Sequence, residues 1–172
     1  MSIIKSVSNS ISKSVLALLF VLVLTNCGDS QQQQTVHPAI TFESGDECHV
    51  CGMIITRLPG PKGQAFDKRS NNIKKFCSTL DLISWYLQPD NKPNIAEVYV
   101  HDMAQTDWES PDDTKLIPAK KAFFVIGSNK KAAMGKTIAS FSTRKDAEQF
   151  QKKWQGKILK FDQLSIDIIL EN

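Results

Sequence analysis

The sequence predicts an α+β fold of two tandem β-β-α-β modules, each a small sheet covered by one helix. Two observations carry this. Short extended-looking segments and one helical segment follow each other in the same order in both halves of the chain. In addition, Phe76-Cys77-Ser78-Thr79-Leu80-Asp81 overlies Phe141-Ser142-Thr143-Arg144-Lys145-Asp146 at an offset of 65 residues, with Trp85 over Phe150. The 172 residues, 41% hydrophobic and 23% charged, suffice for a buried core, which excludes wholesale disorder.

Residues 1–26 are expected to be a signal peptide. Lys5 and Lys13 precede the apolar run Val15 to Leu24, and no acidic residue occurs before Asp29. The ten residues of that run fall short of the roughly 20 a spanning helix needs. Leu24-Thr25-Asn26-Cys27 resembles the lipobox of bacterial lipoproteins, which makes Cys27 the expected lipid anchor. Residues 27–45, with Gln31 to Gln34 and Pro38, read as a flexible tether, because few large apolar side chains offset the entropy of ordering them.

Residues 46–105 form the first expected module. Cys48 to Thr56 and Lys74 to Phe76 read as extended pieces around the turn residues Pro59-Gly60-Pro61 and Asn71-Asn72, before a helix from Thr79 to about Leu87 and a strand at Glu97 to Val100. Residues 106–119 read as a linker loop rich in Asp, Glu and Pro, among them Asp107, Glu109, Pro111, Asp112, Asp113 and Pro118. Residues 120–172 form the second module: strands at Ala122 to Ile126 and Thr137 to Phe141 around Gly127-Ser128-Asn129, a helix from about Arg144 to Trp154, and a strand at Lys157 to Phe161. Ser78 and Thr143 sit where an N-cap hydroxyl belongs, each with an Asp three positions on.

The formal charge of +3 drops by two once Lys5 and Lys13 leave with the signal, so nucleic-acid binding has no electrostatic support. Cysteine usage is more informative. With Cys27 lipidated, Cys48, Cys51 and Cys77 remain in an oxidising compartment, and an odd number cannot all pair. Three chemistries compete for Cys48-His49-Val50-Cys51-Gly52-Met53. Thioredoxin-like exchange wants a helix after the first Cys, but Met53-Ile54-Ile55-Thr56 is β-branched and extended in character. Zinc wants four ligands; Cys48, Cys51 and Cys77 with a distant His could supply them. Thiolate with thioether prefers a soft ion, Cu(I). In an extended segment Cys51 and Met53 would present both sulfurs on one side. Met103 and Met134 are the further thioethers, and Met134, in a Gly-flanked loop, is the harder one to explain as core packing.

These features together resemble the NosL-type accessory lipoproteins of nitrous-oxide reductase. The matching residues are the lipobox Cys27, Cys48 to Met53, Phe76-Cys77, Val98-Tyr99-Val100-His101-Asp102, Trp108, the Ala122 to Val125 strand, Met134-Gly135 and Phe141. The resemblance covers almost the whole mature chain. It implies two β-β-α-β modules and a Cu(I) site made by Cys51 and Met53, with Met134 reaching across from the second module and Cys48 as a further candidate. His49 and His101 are candidates to complete the sphere, each with core or surface packing as the ordinary alternative.

The expected function is accordingly a lipid-anchored Cu(I) chaperone on the periplasmic face of a bacterial membrane, with the outer membrane favoured. Its client would be a copper enzyme, by resemblance nitrous-oxide reductase, and the chain itself is expected to be a monomer and not an enzyme. The alternative from another class is a thiol-disulfide oxidoreductase using Cys48 and Cys51. A third is a structural lipoprotein stapled by a Cys48–Cys51 or Cys48–Cys77 disulfide.

Overall fold

The computed structural model describes residues 37–70 and 72–171. The expected signal peptide, Cys27 and the first part of the tether lie outside them. Strands β1 (Gly63–Asp67) and β2 (Ile73–Phe76), helix α1 (Thr79–Tyr86), and strands β3 (Ile95–His101) and β4 (Leu116–Pro118) make the first module. The second comprises β5 (Phe123–Ile126), β6 (Ala139–Phe141), α2 (Arg144–Trp154) and β7 (Lys157–Lys160), and the short helix α3 (Ile166–Leu170) follows. The first sheet runs β2-β1-β3-β4 and the second β6-β5-β7, with every neighbouring pair antiparallel. The two β-β-α-β units are therefore present, with β4 added to the first.

The helix starts explain the internal repeat. Ser78 Oγ accepts the Asp81 N–H at 3.0 Å, and Thr143 Oγ1 accepts the Asp146 N–H at 3.2 Å. Each hydroxyl thus satisfies a first-turn donor that the helix itself cannot. Phe76 and Phe141 end β2 and β6 just before these caps and are both buried. The caps differ in one respect that matters below. Asp146 Oδ2 accepts a hydrogen bond from the Thr143 hydroxyl at 2.6 Å, whereas the Asp81 carboxylate turns to the Cys77 thiol.

Residues of both modules share one core. Phe76, Leu82, Ile83, Val98 and Val100 pack in the same cluster as Phe124, Ile126, Ile138 and Leu159. The seam is also hydrogen-bonded: Ser140 Oγ donates to the His101 carbonyl at 2.6 Å and the Met103 N–H to the Ser140 carbonyl at 2.9 Å.

Three expectations are corrected. Cys48 to Thr56 is not the first strand of the module. Its residues form a hairpin with the single bridge Glu47↔Ile54, then a 3-10 turn at Ile55–Arg57, because Gly52 at φ 71° turns the chain back. The strand is instead Gly63–Asp67, which has no β-branched residue, and packing reserves its first position for Gly. A Cβ on Gly63 would lie 2.3 Å from Leu82 Cδ2 and 2.7 Å from the Tyr99 carbonyl oxygen.

The tether expected to reach Gly45 is bound to the body from His37 onward. Tyr99 Oη donates to the His37 carbonyl at 2.6 Å, the buried Gln64 amide pairs with Ile40 N–H and C=O at 3.0 and 2.7 Å, and Phe42 is buried. The linker expected over Thr106 to Ala119 contains β4, which pairs with β3 from Tyr99↔Pro118 to His101↔Leu116.

Finally, β2 ends its sheet, and the Cys48 hairpin lies against it: His49 N–H donates to the Lys75 carbonyl at 2.8 Å, and Lys75 Nζ pairs with the Asp46 carboxylate.

Candidate metal centre

The hairpin and the start of α1 bring three sulfurs together. Cys48 N–H donates to the Met53 carbonyl at 2.9 Å and Gly52 N–H to the Cys48 carbonyl at 2.8 Å, which closes the loop and carries Cys51 back toward Cys48. Gly is favoured at position 52 because φ 71° is the left-handed region. Cys77 arrives from the other side, as the residue before the N-cap of α1. Cys51 Sγ and Cys77 Sγ are 3.5 Å apart, and Cys77 Sγ donates to Asp81 Oδ2 at 3.3 Å. The ligand atoms of Cys48, Cys51, Cys77 and Asp81 all lie within 4.8 Å of one another.

Burial and charge give the three thiols different characters. Cys48 and Cys77 are buried, packed with Phe42 and Ile55 in a small core of their own, while Cys51 is exposed. Burial pushes the Cys48 thiol up, but the backbone N–H groups of Cys77, Cys51 and Val50 point at its sulfur and outweigh this, leaving it below its ordinary value. Cys77 is driven strongly the other way, first by burial and then by the hydrogen bonds to its neighbours Cys48, Cys51 and Asp81. The cluster thus holds one sulfur whose thiolate is favoured, one whose thiolate is disfavoured, and one open to solvent. Lys62, buried just before β1, has its ammonium depressed by burial, with the charge of Asp113 acting to restore it.

Of the residues expected from the sequence, Cys51 and Cys48 come together. Cys48, only a further candidate by the resemblance, has a sulfur whose thiolate the surrounding N–H groups favour. Cys51 and Met53 do not share the face of a strand, since Gly52 between them takes φ 71°. Met53 is 38% exposed and Met134 49% exposed. Met134 belongs to the turn between Ala132 and Gly135, whose backbones bond reciprocally at 2.8 and 2.9 Å. This turn abuts the first module at Gly60, where an added Cβ would be 2.4 Å from Ala132 Cβ. Trp108 braces the same place: its carbonyl accepts the Gly60 N–H at 2.7 Å and its Nε1–H donates to the Lys131 carbonyl at 2.9 Å. Met103 packs in the second module's core.

The histidines are occupied elsewhere. His49 sets its ring edge-on to Phe76 and Trp85, at 5.9 and 5.5 Å between centroids. His101 is fully buried, with Nδ1 accepting the Lys62 N–H and Nε2 facing Asp113 Oδ1, both at 3.1 Å. His37 stacks on Phe66. Sequence reasoning gave Asp81 only a capping role and left Cys77 out of the favoured set. The signal for Cys77 was its place at the module repeat, where the second half has Ser142.

The donor set is chemically coherent. Three sulfurs suit a soft or borderline ion, and the one carboxylate, half-buried, accepts from a thiol.

A family model described as NosL matches residues 38–169. A protein of Stutzerimonas stutzeri named copper-binding lipoprotein NosL is 45% identical over 159 residues, 92% of this chain and 82% of the relative. One of the same name from Achromobacter cycloclastes is 31% identical, covering 91% of this chain and 81% of the relative. The crystal structure of the copper chaperone NosL from Shewanella denitrificans superposes with a TM-score of 0.73 at 48% identity, over 74% of this chain and 96% of that one. With its fold, its clustered cysteines and these matches agreeing, the chain belongs to the NosL family.

Proposed function

We propose that this chain is a copper chaperone: a carrier of Cu(I), tethered through a lipid on Cys27 to the periplasmic face of the outer membrane. It delivers the ion to a client copper enzyme, nitrous-oxide reductase. The observation that carries this reading is the cluster of three sulfurs within 4.8 Å, one of them exposed. The names of the relatives, copper-binding lipoprotein and copper chaperone, support it.

In this reading Cys48 and Cys51 hold the ion as thiolates. Met53 and Met134 add thioether donors from the solvent side, and the Cys77 sulfur lies within reach of the Cys51 sulfur at 3.5 Å. The backbone N–H groups facing Cys48 stabilise its charge and lower the cost of losing the thiol proton when copper binds. Exposed Cys51 is where an incoming client donor can attach before the buried donors let go. Transfer is then stepwise ligand exchange between soft sites and needs no catalytic turnover. The chain acts as a monomer and not as an enzyme.

Anaerobic titration of the reduced full-length chain with Cu(I), against a competing chelator, tests this. The expected result is one tight equivalent, weakened in both Cys51→Ser and Met134→Leu. Binding indifferent to Met134→Leu would remove that thioether from the site, and absence of tight binding would overturn the carrier reading.

A further inference from the structure

We infer that Cys51 and Cys77 form a reversible disulfide, so that loading of the chain requires a dithiol reductant. Only the loading clause rests on the carrier reading; the bond itself rests on geometry.

The two sulfurs are 3.5 Å apart, and bonding at about 2.05 Å asks them to close by roughly 1.5 Å. The third sulfur is held differently. Cys48 Sγ is ringed by the N–H groups of Val50, Cys51 and Cys77, and moving it onto either neighbour would forfeit those contacts. Access favours the same pair. Cys51 is exposed, so a bulky disulfide-bearing partner can reach it, whereas Cys77 is 1% exposed and can react only from beneath. These are the usual roles of an attacking and a resolving thiol.

The exchange balances without another reagent. The Cys51 thiolate attacks one sulfur of a partner disulfide, breaking that S–S bond and releasing the first partner thiolate. As Cys77 Sγ attacks Cys51 Sγ, its proton moves to Asp81 Oδ2, the hydrogen-bond acceptor it already meets at 3.3 Å, so no free Cys77 thiolate has to form. The second partner thiolate leaves as the Cys51–Cys77 bond forms. Two electrons move to the partner, whose two sulfurs leave as thiolates and become thiols by taking up the proton held on Asp81 and the one Cys51 shed to solvent on ionising, and the reverse sequence with a partner dithiol reopens the pair. In the oxidised chain Cys51 is no longer a thiolate donor and the cluster retains Cys48 alone as a free thiol, so Cu(I) cannot be gripped as before.

The test is to equilibrate the full-length chain with glutathione disulfide, block free thiols, and map the linkage by mass spectrometry with fragmentation between Cys48 and Cys51. The expected map is Cys51–Cys77 with Cys48 free, and the same bond in Cys48→Ser. In Cys77→Ser, glutathione should instead stay attached to Cys51. A Cys48–Cys51 or Cys48–Cys77 linkage, or no linkage, overturns the proposal. Cu(I) competition on the oxidised chain should show a loss beyond the roughly 100-fold that removing a supporting partner costs a metal site, with recovery on dithiothreitol. Equal binding by oxidised and reduced chains overturns the loading requirement. If the reduced chain ignores Cu(I) altogether, the carrier reading and the loading requirement fall together, while the linkage map is scored independently of copper.

Discussion

Replacing Gly52 isolates the conformational demand of the Cys48–Met53 hairpin. A Cβ at this position would meet no atom within 4 Å, so the cost of substitution is the left-handed backbone at φ 71° and not a clash. For an L-residue that cost is about 1–2 kcal/mol, less for Asn, which tolerates the region, and more for a β-branched residue. The hairpin cannot shed this strain freely. Cys48 and Gly52 close it through their own backbone bonds, His49 N–H ties it to β2, and Asp46 pairs with Lys75 at its base. Gly52→Ala should therefore lower Tm by about 2–8 °C, at roughly 2–4 °C per kcal/mol for a chain of this size. Where the turn relaxes instead, the Cys51 and Val50 N–H groups swing away from Cys48 and Cu(I) affinity should fall by about 5–30-fold. Calorimetry and chelator competition on the series Gly, Asn, Ala, Val read both effects, with losses expected in that order. Gly52→Ala with wild-type Tm and wild-type affinity, or Gly52→Asn more damaging than Gly52→Ala, would refute the reasoning.

Two further outcomes follow from local geometry. At Gly60 and Gly127 the φ values are similar, 88° and 71°, but a Cβ meets Ala132 Cβ at 2.4 Å in the first case and nothing within 4 Å in the second. Urea unfolding should find Gly60→Ala the worse by about 1–3 kcal/mol, the range for overpacking, and equal losses would show that the Met134 turn yields without cost. At Asp46, burial raises the carboxyl pKa, but the Lys75 ion pair and the Glu43 N–H outweigh it and hold the group below its ordinary 3.8. A folded pKa below the unfolded one means stability present in full above pH 3.8 and lost as pH falls through the lower value. The stability gap between wild type and Lys75→Met should be widest near neutral pH and close in strong acid; a constant gap would refute this.

The helix starts were legible because capping is local chemistry. Ser78 and Thr143 each need only an N–H three residues on, so the repeat visible in the sequence is a repeat of bonds in the fold. Strand β1 was not legible. Gly63-Gln64-Ala65 has little β propensity, and what places it is the close approach of Leu82 and the Tyr99 carbonyl, a tertiary demand that Gly alone meets. Ile54-Ile55-Thr56 misled in the opposite sense, because their β-branched character is spent on one bridge and a 3-10 turn in which Ile55 alone is buried. The site divides the same way. Cys48 and Cys51 announce themselves by spacing, but Cys77 is 26 residues away from Cys51 and joins them only through the packing of α1. Asp81 looked like a capping acid, and its turn toward a thiol depends on that thiol already being there.

The contact between the Cys48 hairpin and β2 has a consequence for how cargo can leave. A terminal strand with open backbone groups is a template for another chain to pair with, and the His49–Lys75 bond together with the Asp46–Lys75 pair caps part of that edge. The loop that offers the sulfurs is thus also a guard against self-association. On the carrier reading, swinging it open to release an ion would uncover the strand, which favours hand-over at the lip, through Cys51, with the loop shut. Variants that loosen the hairpin should clump as well as bind poorly, and the two phenotypes will be hard to separate in a cell.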